Sequence, residues 1–277
     1  MFIKRLFSTI LLLAIFSCII FGNEIVSKIS FVIFGSFISF FTPYEAGNML
    51  KQCGKPIFTK TASFFILLSF LTCFLYYEFN EILYIIFGLS FIFAVPWILL
   101  LFIIGKEKGL EQVLNTAGLF LLFVPPLLII TYIYSDISRL FFLYLVLGTK
   151  IGDIGAYVTG TVTNKLMKGN HKMVPSISPG KSWEGAVGGL LISILFSVFM
   201  YFFAFSEYYN IWFSIIFGIV LFVFGAAGDL AESCFKRSCG VKDSGHTIPG
   251  IGGVFDLTDS LFLNAVVFLC IANIIGI

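Results

Sequence analysis

Charge is what this sequence has least of. Only 12% of its 277 residues are Asp, Glu, Lys or Arg, against roughly a quarter in a soluble domain. That shortage excludes an ordinary water-soluble fold, whose elements need a polar face. The chain has two histidines and six cysteines, and no two cysteines form a C-x-x-C pair. Cys18, Cys73 and Cys270 fall in apolar runs, while Cys53, Cys234 and Cys239 are expected to face a reducing compartment as plain thiols. A Cys234/Cys239 metal site lacks convincing partners. Lys4-Arg5 precede an apolar stretch, yet Phe21-Gly22-Asn23-Glu24 offers no small-residue cleavage pattern. An uncleaved first span is expected there, or a helical hairpin that does not fully cross. Walker A is also missing: Gly180-Lys181-Ser182 has Pro175 where that motif needs Gly, and no strand–loop–helix unit is expected around it.

Hydrophobic residues make up 59% of the chain. Apolar runs recur at the length of about 17–25 residues that crosses a bilayer. The expected spans are 6–22, 25–41, 61–77, 82–104, 113–134, 137–160, 186–206, 210–228 and 261–277. Fourteen of the 17 Lys and Arg residues fall in segments 1–5, 42–60, 105–112, 161–185 and 229–260. The positive-inside rule then gives an N-in, C-out topology. The expectation is an all-α, polytopic integral membrane protein of about nine transmembrane helices, with N-terminal helices in 1–135 and a catalytic region in 136–277. Pro43, Pro96, Pro125 and Pro126 mark kinks or span ends, and Glu45 and Asn48, which could line a site, read first as a solvated loop.

The polar residues gather in three places. Lys150 and Asp153 stand three apart in one span, hence on one helix face, with Gly152 and Gly155 allowing close backbone approach. Charges at such depth point to function, lining a groove or wet cavity. The second place is the loop with Asn170-His171-Lys172 and Ser178-Pro-Gly-Lys181-Ser-Trp-Glu-Gly, able to offer phosphate a Lys, hydroxyls and backbone N–H groups. The third begins at Asp229 and runs through 236–260, packing three basic and three acidic side chains into 25 residues. Asp229, Asp243, Asp256 and Asp259 offer oxygen ligands suited to Mg²⁺, with Asp256 and Asp259 three apart. Lys236, Arg237 and Lys242 suit phosphate, and Gly252 and Gly253 let backbone N–H groups approach an anion. Acids for a metal interleaved with bases for phosphate describe metal-assisted phosphoryl chemistry.

The run Ser233-Cys-Phe-Lys236-Arg237-x4-Lys242-Asp243-x-Gly245-x3-Pro249-Gly250-x-Gly252-Gly253-x2-Asp256-x2-Asp259-Ser260 closely resembles the signature of the phosphatidate cytidylyltransferases. Asp153-Ile-Gly-Ala-Tyr157, Ser178-Pro-x-Lys181-Ser-Trp183-Glu184-Gly185 and Gly228-Asp229-Leu are similar to that family's other blocks, so the resemblance covers roughly 148–262. It implies transfer of CMP from CTP to phosphatidate, Mg²⁺ with room for a second cation, and a homodimer in the bacterial cytoplasmic membrane without a nucleic-acid partner. Carried over, the family's metal-binding aspartates match Asp229 and Asp256. Its nucleotide and catalytic positions match Lys236, Arg237, Lys242, Asp243 and Asp259. Ile251 stands where the family usually has His, Leu257 where it has Arg, and Gly180 where it has Lys.

Catalytic expectations therefore rest on Asp243, Asp259, Lys242 and Asp153, and substrate expectations on Lys181, Ser178, Lys236, Arg237, Gly252, Gly253 and Lys150. A transporter or channel using the intramembrane Lys and Asp is the competing class, although the hydropathy contains no inverted repeat. A different lipid-phosphate transferase is the other, although D-x2-D-G-x2-A-R is absent.

Overall fold

The computed structural model describes residues 2–80, 108–167 and 169–276. Among these, eight helices are long and apolar enough to cross a membrane. The protein is therefore largely helical and multi-pass; the span expected over 82–104 lies outside the described residues. The chain divides into two compact units, Met1–Arg139 with Ser238–Thr258, and Leu140–Arg237 with Asp259–Ile277. The first unit thus includes 238–258, which the sequence division placed in the C-terminal part.

In the first unit, α1 (Phe2–Phe21) and α2 (Glu24–Gln52) meet at a tight link. The Asn23 side chain accepts from Val26 N at 2.9 Å, capping α2, and Glu24 complements the helix dipole in its first turn. α2 then runs through Pro43 to Gln52, and Gly54 with φ +78° follows its C-terminal end. This corrects the span end at 41 and the loop expected around Glu45 and Asn48. Thr42, Pro43, Glu45 and Ala46 are all buried, so tertiary packing outweighs the one backbone donor that proline lacks. Pro125 and Pro126 likewise lie inside α4 (Gly109–Tyr132). α3 (Thr59–Phe79) packs on α2, the Phe70 ring filling the space above Gly35. A short π-helical turn, Ile133–Ile137, follows α4. In it Tyr134 stacks on Phe31 with ring centroids 3.8 Å apart, its hydroxyl 2.6 Å from Ser27 Oγ.

The end of α2 also brings Cys53 Sγ within 3.0 Å of Cys239 Sγ. The thiol facing Cys239 is thus Cys53, and burial pushes the Cys239 thiol above its ordinary range. A mild oxidant is expected to link Cys53 to Cys239 in the otherwise reduced protein. Peptide mapping should find this bond, and Cys53→Ser should remove it.

The second unit is built on α5 (Arg139–Leu166), α6 (Trp183–Met200), α7 (Ile211–Ser238) and most of α8 (Phe255–Ile275). Small residues let these helices close on one another, as the Lys150/Asp153 segment suggested: Gly148 faces Leu221, Gly152 faces Phe222 and Gly155 faces Ile192. Tyr144, Phe205, Phe217 and Phe268 form its aromatic core. Asn264 Nδ2 donates to Thr149 Oγ1 and to Leu221 O, both at 2.9 Å, tying α5, α7 and α8 with one amide. One expectation changes here: α7 continues past 228 to Ser238. The all-α class holds, with one short antiparallel hairpin, β1 (Lys172–Val174) with β2 (Ser178–Ser182), between α5 and α6.

Candidate active site

In the second unit, Asp229 and Glu232 stand one turn apart on α7, and Asp259 lies near the start of α8. Carboxylate oxygens of these three lie within 4.8 Å of one another. Gly228 permits the approach: a methyl group there would meet Asp259 O at 2.9 Å and Ser260 Cα at 3.0 Å. Three carboxylates so close repel by about 4 kcal/mol per pair at an effective dielectric near 20, and lysines offset that. Lys181 Nζ lies 2.8 Å from Asp229, Lys236 Nζ 2.7 Å from Glu232 and Lys150 Nζ 3.9 Å from Asp259. The Asp259 side chain is 7% exposed. Its Oδ1 accepts from Ser260 N at 2.6 Å and Ser260 Oγ at 3.0 Å.

Each lysine arrives from a different element. β2 delivers Lys181, whose ammonium also donates to Ala226 O at 3.1 Å. α5 delivers Lys150, which donates to Ser260 Oγ at 3.2 Å and stands between Asp153 at 4.0 Å and Asp259 at 3.9 Å, bridging its own helix and α8. α7 delivers Lys236. Arg237 Nε reaches Ile177 O at 3.4 Å, crossing the hairpin turn beside Ser178. β2 runs straight into α6, with Ser182 as N-cap accepting from Gly185 N. The strand passes directly into the helix, so the strand–loop–helix unit of Walker A is absent here, in line with the sequence expectation. Glu232 was not singled out from the sequence. The three-residue spacing used for Asp256 and Asp259 finds it once α7 is known to continue beyond 228.

The first unit holds the other expected residues. Lys242 and Asp243 are exposed. Asp256 Oδ2 accepts from Gly253 N at 3.0 Å and Ser244 N at 3.3 Å, and Gly252 N donates to Ile248 O at 3.1 Å. The N–H groups of Gly252 and Gly253, expected to face an anion, are thus engaged inside their own loop. Glu45, expected in solvent, is 3% exposed. It accepts from Ser244 Oγ at 3.1 Å, Thr247 Oγ1 at 2.5 Å and Phe255 N at 3.0 Å.

The second unit's acidic group offers only carboxylate oxygens, the donor set that hard divalent cations prefer. Its lysines can exchange carboxylate for phosphate oxygens. The arrangement can therefore hold a cation and gather phosphates on one face.

A family model described as the cytidylyltransferase family matches residues 3–275. The chain is 46% identical over 120 residues to the phosphatidate cytidylyltransferase of Staphylococcus haemolyticus, covering 43% of this chain and 44% of that protein. It is 50% identical over 108 residues to the enzyme so named in Staphylococcus epidermidis, 39% of each chain. The likeness to the Staphylococcus aureus protein is 44% over 121 residues, 43% of this chain and 44% of the relative. The matched part thus spans less than half the length of these relatives.

Proposed function

The chain belongs to the cytidylyltransferase family, and from that premise we propose that it is a phosphatidate cytidylyltransferase, a nucleotidyltransferase that makes CDP-diacylglycerol and pyrophosphate from phosphatidate and CTP. The observation that carries this reading is the alternation in the second unit: three carboxylates within 4.8 Å, each with a lysine beside it. An ion pathway needs no such set of exchangeable ammonium groups. A reaction between two phosphates does.

Phosphatidate supplies its own nucleophile, because its phosphate monoester is anionic at neutral pH. No protein nucleophile or general base is required. The phosphate oxygen attacks the α-phosphorus of CTP, the bond from that phosphorus to the bridging oxygen breaks, and pyrophosphate leaves with the electron pair. The protein must hold two anions in line and offset their repulsion. Lys181, Lys236 and Lys150, each beside a carboxylate of the acidic group, would do so, with Arg237 and Ser178 at the hairpin edge. Asp229, Glu232 and Asp259 would hold Mg²⁺, whose chemistry is neutralisation of charge on the phosphates. Asp153, beside Lys150 on α5, would tune that ammonium where the lipid headgroup enters.

The resemblance further assigns metal binding to Asp256 and catalysis to Lys242 and Asp243. These stay proposals about the first unit, on which Asp256→Asn bears directly. Placement in a bacterial cytoplasmic membrane rests on the Staphylococcus relatives and the apolar helices. A homodimer rests on the resemblance alone, and the mass of the protein in detergent tests it.

The deciding experiment supplies purified protein in detergent–lipid micelles with phosphatidate, labelled CTP and Mg²⁺, and follows label into the organic phase. Transfer is expected, with loss on chelation and return when Mg²⁺ is restored. Folded protein that moves no label would overturn the reading.

A further inference from the structure

Glu45 is none of the expected catalytic, substrate or metal residues, yet it accepts three hydrogen bonds from the first unit's glycine-rich loop. One oxygen accepts from Ser244 Oγ and Phe255 N, the other from Thr247 Oγ1. These donors span the whole loop, and the acceptor comes from a helix 199 to 210 residues away in sequence. A carboxylate buried among helices is unfavourable against an apolar residue unless its hydrogen bonds serve a purpose.

Two glycines fit this carboxylate. A methyl group on Gly245 would overlap Glu45 Oε1, and one on Gly253 would overlap Ser244 Oγ and crowd Glu45 Oε2. The room that the sequence seemed to keep for an anion is filled by Glu45 itself. Asp256 grips the same loop from its other side, through Ser244 N and Gly253 N. Ser244 is therefore held twice, by its hydroxyl and by its amide, and Lys242 and Asp243 immediately precede it.

We infer that Glu45 is a positioning residue for the nucleotide: it fixes the loop 244–255 so that the exposed Lys242-Asp243 pair is presented to CTP in one conformation. This rests on the cytidylyltransferase reading. Glu45 touches no substrate in this role and acts only through Ser244, Thr247 and the Phe255 amide.

The test uses the full chain in micelles and two readouts. Hydrogen exchange without substrate reports on the loop itself. Initial rates with CTP and phosphatidate varied separately report on its use. For Glu45→Gln, amides in 242–255 are expected to exchange at least about tenfold faster, while peptides of α3 keep their protection. The KM for CTP should rise about tenfold or more, with the KM for phosphatidate changed less than twofold. Thr247→Val, which removes one donor and leaves the buried acid in place, should move both readouts the same way by a smaller amount. Glu45→Asp should recover part of the CTP effect.

Unchanged loop exchange in both variants would overturn the inference. So would equal rises in both KM values, or a general loss of protection in Glu45→Gln with no effect of Thr247→Val. If the wild type transfers no CMP, the functional reading fails separately, and the exchange arm still decides whether Glu45 holds the loop.

Discussion

Asp259→Asn is expected to lower the turnover of CMP transfer by about 10²–10³-fold, the scale of losing one preorganised electrostatic partner of a transition state. Asn is nearly the same shape as Asp, and its amide oxygen can still accept from Ser260 N and Ser260 Oγ. Lys150 keeps its bond to Ser260 Oγ and its proximity to Asp153. The substitution therefore removes one negative charge from the acidic group and little else. Thermal stability should stay within a few degrees of wild type, and more Mg²⁺ should be needed for half-maximal rate. Asp229→Asn should lower turnover similarly but destabilise more, because Lys181 loses its 2.8 Å partner. Steady-state rates over a Mg²⁺ titration, beside a melting curve for each variant, check both. Wild-type turnover in Asp259→Asn would remove the second unit's acidic group from the reaction.

Gly228→Ala should be nearly as damaging with every charged group still present. The added methyl would press on Asp259 O and Ser260 Cα, both of them main-chain contacts that cannot rotate away. Relief requires α8 to slide from α7 by a few tenths of an ångström or more. Overpacking of this kind destabilises by about 1–3 kcal/mol, and a shift approaching 1 Å at reacting groups can lower rate by about 10²-fold. Reduced kcat and a lower melting temperature are expected together. Gly180→Ala is the matched control, since nothing lies within 4 Å of a methyl there and it neighbours Lys181 on β2. Its rate and melting temperature should match wild type. A Gly228→Ala variant with unchanged kcat would show that the spacing of α7 and α8 does not limit the chemistry.

Much of this architecture was legible because composition restricts what an oily chain can be. Runs of about 20 apolar residues become helices, and charge within them has to be used. What failed was the treatment of helix ends. Hydropathy falls at the first polar residue, whereas hydrogen bonding along a helix continues as long as packing or water can accept its side chains. α2 passes 41 to reach Gln52, and α7 passes 228 to reach Ser238. Those two extensions convert Glu45 and Glu232 from loop acids into oriented helical ones.

The fixed spacings of the signature pointed to Asp229, Asp259, Lys181 and Lys236, which the second unit brings together with Lys150. The same spacings do not reveal that Gly252 N and Gly253 N are already engaged, since that depends on how the loop folds back on Ile248 and Asp256. Nor could one sequence pair Glu45 with Ser244, because no local rule links residues 199 apart. The approach of Cys53 to Cys239 escaped notice for the same reason.

Asn264 and Asp259 sit on the same helix, and α8 is synthesised after every other part of the second unit. Before α8 is inserted, the second unit can pair Asp229 and Glu232 with Lys181 and Lys236, two acids against two bases. It lacks the amide that pins α5 to α7 and the third acid of the group. Inserting α8 supplies both in one event, since N-terminal parts fold first during translation. Docking of α8 is thereby tied to assembly of the acidic group: a bundle that this helix has not yet joined is loosely held and has two of the three carboxylates.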